Sequence, residues 1–238
     1  MKNTHLSFSS LKAFAKSPNH FIQYKEDKPD SAAMAFGRAF HILILEPDTF
    51  NERVVVSPEC DRRTKEGKAV YAEFLEMAAN KEVISPAEWY TMQRMRTAIL
   101  AHPVARDFVA NNQKEVSASA LIHGVEFKGI ADILGSNFAV DLKTAQTADP
   151  DEFIRTAHNA EYHLQAAIYR HLFGITNFYW IVVEKDKPHN VSVFLQDEDA
   201  AGRAEYRLRN LITLWNEWDG NPAPYTNEVV TLSLPKWA

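Results

Sequence analysis

The pattern of apolar and polar positions divides the chain into a helical first half and a strand-rich second half. In "LSFSSLKAFAKSPNHFIQYKE", Leu11, Phe14 and Ala15 recur at helical spacing behind Ser9 or Ser10 as N-cap, and Ser17-Pro18 predicts a break. "DSAAMAFGRAFHILILEPDTF" predicts a helix ended by Pro47, with Met34, Phe36, Phe40, Leu43 and Ile44 supplying apolar surface around His41. Residues 61–80 predict an amphipathic helix after a basic, polar loop. "SPAEWYTMQRMRTAILAHPVA" predicts another, with Ser85 as N-cap, Pro86 at the first helical position and Glu88 completing a capping box.

The period then shortens to two. "KEVSASALIHGVEFKGIADILGSNFAVDLKT" holds three β-runs joined by turns at His123-Gly124 and near Ser136-Asn137, which predicts an antiparallel meander. Asp149 to Glu152 predicts a capping box opening a helical region that ends at Gly174. "NFYWIVVEK" and "NVSVFLQ" predict strands, and the stretch from Asp197 to Gly220 a long final helix. Helices, three antiparallel strands, helix and strand make an α/β layout with a mixed sheet.

Within that meander, a turn centred on Ser136-Asn137 sets Asp132 directly across from Asp141, with Cβ atoms roughly 4.5–5.5 Å apart. Lys143 shares their face. Facing like charges destabilise a sheet unless neutralised. An ammonium and a divalent cation would do so, and hard Mg²⁺ is commonly held by one or two carboxylates with waters and phosphate oxygens. Asp132, Asp141 and Lys143 therefore suit metal-dependent phosphodiester hydrolysis, Lys143 orienting or helping to deprotonate the attacking water. A solvated hairpin with an incidental Asp–Lys pair is the plainer alternative, but apolar neighbours surround both aspartates and make an unpaired charge costly.

Other residues bear on this chemistry. Gln165 and Tyr169 lie four apart on one helix face, placed either to reach a phosphate or simply to pack. His41 is either a hydrogen-bonded core histidine or an extra metal ligand. Glu115 either adds a carboxylate to the same sheet face or guards an edge strand. His158, His163 and His171 have no companion at a zinc-like spacing and are read as surface or packing residues.

Composition narrows the classes. The 238 residues are 46% apolar and 24% charged, as in ordinary soluble globular proteins. The single cysteine, Cys60, excludes a disulfide framework, a Cys-type zinc site and a Cys-ligated iron–sulfur cluster, and suits a reducing, cytoplasmic setting. Neither a membrane-spanning run nor a signal peptide is expected. The net charge of −5 gives no sign of a nucleic-acid partner, so such a reading rests on the locally basic N-terminus: Lys2, Lys12, Lys16, Lys25, Lys28 and Arg38.

Together, "LSFSSLKAFAKSPNHF", "FGRAFHILILEP", "DRRTKEGKAVYAEFL", "GIAD", "VDLKT", "YHLQAAIYR" and the closing "LSLPKWA" resemble the PD-(D/E)XK nuclease superfamily. The likeness is strongest to its RecB-like branch and the RecE-type exodeoxyribonuclease VIII family of phages and prophages. It implies a restriction-endonuclease-like αβββαβ core with a mixed central sheet and N-terminal helical additions. On this likeness His41, Asp132, Asp141 and the backbone carbonyl of Leu142 bind metal, Lys143 is catalytic, and Gln165 and Tyr169 are the motif-helix pair. Ala131 stands where the superfamily's motif has proline, and Asp141 where many members have glutamate; either acid ligates Mg²⁺. Related nucleases of CRISPR adaptation carry cluster-binding cysteines, which this chain lacks.

The resemblance implies a single nuclease domain over residues 1–238. Residues 1–110 form a mainly helical part with the His41 helix, 111–196 the catalytic sheet with the Gln165 and Tyr169 helix, and 197–238 the C-terminal helix and tail. It further implies a Mg²⁺-dependent exodeoxyribonuclease, with Mn²⁺ able to substitute. The enzyme would degrade linear double-stranded DNA from its ends with 5′→3′ polarity, leaving single strands for recombination. Its expected partners are DNA ends, a single-strand annealing protein and further copies of itself in a ring, with no membrane. The alternatives are an endonuclease or DNA-repair nuclease of the same fold, and a non-catalytic DNA-binding subunit, against which the two aspartates and Lys143 argue.

Overall fold

The computed structural model describes residues 5–28, 30–78 and 80–234; Lys2 and the last four residues of the closing segment lie outside them. The chain opens with α1 (Phe8–Lys16) and α2 (Pro18–Glu26). Ser7, not Ser9 or Ser10, caps α1, because Ser7 and Ser10 satisfy each other's backbone N–H groups in a capping box. Ser17 ends α1 and caps α2, with Pro18 at the first helical position.

Helix α3 (Ala32–Leu45) carries His41 and stops before Pro47; Met34 at its start is exposed rather than part of the surface around His41. A 3₁₀ turn (Pro47–Thr49), α4 (Phe50–Arg53), β1 (Val54–Val56), α5 (Lys65–Met77) and β2 (Glu82–Ile84) follow, β1 and β2 forming a small parallel pair. The helix expected over 61–80 is thus shorter, beginning at its Thr64 cap. Helix α6 (Pro86–Ala101) has the expected Ser85–Glu88 capping box, and Pro103 then starts a separate α7 (Pro103–Asn111).

The central sheet is built from β3 (Gln113–Ile122), β4 (Val125–Leu134), β5 (Phe138–Ala145), β6 (Asn177–Glu184) and β7 (Val191–Leu195), in that spatial order. All neighbours are antiparallel except β5 and β6, so the sheet is mixed. Between β5 and β6 the chain forms α8 (Pro150–Asn159) and α9 (Tyr162–Phe173), and α10 (Glu198–Glu217) closes the fold. The helical region before Gly174 is therefore two helices, divided at Glu161, whose φ is +59°.

Both sheet faces are covered, which is why β6 is apolar at consecutive positions. Ile181 and Val183 pack with Phe40, Ile44 and Leu142 under α3 and α6, whereas Phe178, Trp180 and Val182 pack with Phe153 of α8. A third cluster joins α1, α2, α9 and α10 around Phe21, Phe127, Leu208 and Trp215. Gly129 lets α9 approach β4 closely: a Cβ there would come within 2.7 Å of Leu172 and 3.3 Å of Tyr169.

Candidate active site

The site lies where β4 and β5 separate. Their ladder holds only Ile133 with Val140 and Leu134 with Ala139, around a turn closed by Gly135 N–H donating to the Phe138 carbonyl. The next positions in that register are Asp132 and Asp141, so the hairpin sets the aspartates opposite each other but stops pairing before it reaches them. Asp132 replaces the missing ladder bond: its Oδ2 accepts the Leu142 N–H at 2.7 Å. Farther along, Leu6 pairs with β4, accepting from Lys128 N–H and donating to the Glu126 carbonyl. The strands thus form a fork, and the aspartates sit at its base.

The side chains of Asp132 and Asp141 are only 13% and 7% exposed. Lys143 forms an ion pair with Asp141 Oδ2. Gln165 Nε2 donates to Asp141 Oδ1 at 2.6 Å. His41 reaches in from α3, its Nε2 lying 2.7 Å from the Leu142 carbonyl and its Nδ1 3.5 Å from Asp132 Oδ2. Glu115 joins this side of the site, for its carboxylate, His41 and Asp132 present ligand atoms within 4.8 Å of one another. Glu115 also falls opposite Asp132 in the β3–β4 register, between the pairs Lys114–Ile133 and Val116–Ala131. Its φ of +53° is left-handed inside a strand, a strained conformation of the kind that gathers at functional sites.

Tyr169, expected either to reach a phosphate or to pack, lies against β4. Its hydroxyl donates to the Ile130 carbonyl at 2.9 Å and does not bond either aspartate. Tyr162, absent from the residues expected at the site, lies on α9 three residues before Gln165 and holds its ring 4.7 Å from Lys143 Nζ. The spacing Tyr162, Gln165, Tyr169 was the available signal.

Electrostatics follow from this crowding. Burial, and next the Asp141 charge, push the Asp132 carboxyl up to about 8. Burial and the Asp132 charge also raise Glu115. Burial opposes the charge on Lys143, but Asp141, Tyr162 and Asp132 outweigh it and hold the ammonium above its ordinary value. Burial lowers His41, leaving a neutral imidazole with a lone pair to offer. Burial, then Lys143, likewise lowers Lys12 of α1.

This donor set fits a divalent cation. Two buried carboxylates face each other, one of them driven to keep its proton, and Asp141 Oδ2 has its ion pair but no well-formed hydrogen bond among the described residues. A hard cation with carboxylate, carbonyl and imidazole ligands would relieve both conditions.

The fork opens into a groove of about 820 Å³ whose lining includes Lys143, Gln165, Tyr169, Lys25, Lys28 and Lys128. A second groove, of about 950 Å³, shares Tyr24 and Lys28 with it and adds Lys12 and Lys16. Arg38 lines this second groove too, yet its guanidinium is tied to Asp30 and Glu82, so it does not contribute an uncompensated charge.

The mixed sheet, forked where Asp132 faces Asp141 with Lys143 two residues farther on, belongs to the PDDEXK-like class of domain. Residues 7–227 match the family described as PDDEXK-like domain of unknown function (DUF3799), and the chain belongs to that family. A provisionally assigned exonuclease from Eubacterium rectale shares the fold at a TM-score of 0.63 and 14% identity, over 97% of this chain and 91% of that one. A phage-related exonuclease from Haemophilus somnus (13% identity, 68% of this chain and 88% of that one, TM-score 0.38) is a more distant neighbour. So is an alkaline exonuclease from Laribacter hongkongensis (15% identity, 76% and 93%, TM-score 0.34). A search of curated protein sequences found no match. Among the described residues no helix is long and apolar enough to cross a membrane.

Proposed function

We propose that this protein is a Mg²⁺-dependent exodeoxyribonuclease that degrades linear double-stranded DNA from its ends with 5′→3′ polarity. The observation that carries the reading is the buried Asp132–Asp141 pair beside Lys143, which itself lines a groove together with Lys25, Lys28 and Lys128. The name of the Eubacterium rectale relative supports exonuclease action in particular.

Asp132, Asp141, the Leu142 carbonyl and His41 would hold the ion, with Glu115 beside them. When bound, a divalent cation neutralises the facing carboxylates, acidifies water and offsets charge developing on the phosphoryl oxygens. Hydrolysis forms a bond from water oxygen to phosphorus and breaks the bond from phosphorus to the leaving sugar oxygen. Lys143, an ammonium beside Asp141, orients the water and stabilises the extra negative charge on the phosphoryl group. Gln165 fixes the Asp141 carboxylate, and Tyr169 anchors α9 to β4. The lysines of the groove bind backbone phosphates. A ring of several copies, a single-strand annealing partner and a cytoplasmic setting complete the proposal.

Incubation with linear and covalently closed duplexes in Mg²⁺ tests it. Linear DNA should be consumed from its ends while closed circles survive, and end-labelling reports the polarity. Cleavage of closed circles at a comparable rate would make the protein an endonuclease.

A further inference from the structure

His123, His171 and Glu205 take no part in the groove, yet three separate elements bring them together. His123 occupies the β3–β4 turn with a φ of +47°, His171 the last turn of α9, and Glu205 the first half of α10. His123 Nε2 lies 3.0 Å from Glu205 Oε1, and His171 Nε2 lies 2.8 Å from Oε2. The imidazole rings are 5.4 Å apart and steeply inclined at 72°, so their nitrogens converge on one carboxylate. Ligand atoms of all three residues fall within 4.8 Å of one another. Each side chain stays about one-third exposed, so an ion can enter from solvent.

Two imidazoles and one carboxylate, with room for water, form the donor set of a borderline-soft transition ion, whereas Mg²⁺ and Ca²⁺ favour sites whose ligands are mostly oxygen. Arg209 is the competitor: its Nε donates to Glu205 Oε1 at 2.9 Å. That contact is an exposed i,i+4 pair, weak and easily exchanged for water.

We infer that His123, His171 and Glu205 form a second metal site, selective for a zinc-class divalent ion, that clasps the β3–β4 turn to α9 and α10. The site would secure the outer end of the helix whose inner face carries Gln165 and Tyr169.

The test uses Asp132→Asn protein, which lacks the acid common to the groove's own ligand groupings, stripped of metal with EDTA and titrated with Co²⁺ and then Zn²⁺. One equivalent of Co²⁺ should bind with a ligand-field absorption, and Zn²⁺ should displace it. Adding His171→Ala or Glu205→Gln should weaken binding by more than the ~10–100-fold that loss of an outer-shell partner costs. Glu205→Gln keeps the size of the side chain, so it preserves the test should His171→Ala fail to fold. Arg209→Gln should tighten binding a few-fold by removing the competing cation, which a merely structural cluster would not do. Absence of Co²⁺ binding to the folded Asp132→Asn protein overturns the inference and leaves a plain histidine–glutamate hydrogen-bond cluster. Binding unchanged in both ligand variants overturns it as well.

Discussion

Replacing Asp132 with asparagine should abolish nuclease activity and at the same time stabilise the metal-free protein. The carboxyl is pushed up to about 8 by burial and by Asp141, against an ordinary value of 3.8. At pH 7 the folded protein therefore holds a proton there that the unfolded chain releases. Each pH unit of that difference costs about 1.4 kcal/mol, so about three units set an upper bound near ~4 kcal/mol. Relaxation around the fork reduces the gain, and ~2 kcal/mol is a reasonable expectation, or ~4–8 °C in a chain of this length. Asparagine needs no proton, keeps the shape, and its oxygen can still accept the Leu142 N–H that Asp132 accepts now. The assay is urea or thermal unfolding in EDTA at pH 7, followed by circular dichroism, beside a Mg²⁺-dependent digestion of linear DNA. Saturating Mg²⁺ should stabilise the parent and leave the variant nearly unmoved. An apo variant no more stable than the parent would refute the idea that the two aspartates strain the fork.

The same titration fixes the sign of a pH effect. Because the folded value is raised, the folded state binds the extra proton between about 4 and about 8, and stability of the EDTA-treated parent should fall as pH rises through that window; melting curves across it should be flatter for Asp132→Asn. Lys143→Met keeps the aliphatic stem but loses the ammonium, so single-turnover cleavage should slow by ~10²–10⁴-fold while binding of DNA ends in Ca²⁺ is retained. Joint loss of binding and cleavage would place Lys143 in DNA capture. His41→Ala should raise the Mg²⁺ concentration needed for half-maximal cleavage more than it lowers the melting temperature, and the reverse pattern would make His41 a packing residue.

Local chemistry made part of this protein legible from its sequence. The Ser85–Glu88 capping box, the Pro47 stop and the hairpin around Ser136-Asn137 depend on residues a few positions apart, and each formed where the pattern put it. Strand parity and turn length sufficed to set Asp132 opposite Asp141 with Lys143 on the same face, because a period of two leaves no other choice once the register is fixed. The same local logic failed where packing competes with it. The ladder ends short of the aspartates, and the helix before Gly174 breaks at Glu161.

Only the tertiary structure decided which distant residues meet. His41 contacts Leu142 across 101 positions, and Glu115 turns toward His41 and Asp132 through a strained φ that no periodicity announces. Arg38, one more cation in the sequence, is neutralised by Asp30 and Glu82. His171 has no zinc-like neighbour along the chain, but the fold brings it Glu205 from 34 positions away, and with Glu205 comes His123 from 82 positions before it. Hydrophobic spacing says which face of an element is buried. The angle and offset at which buried faces interlock determine where their polar edges converge, and those depend on the volumes of side chains from every element at once.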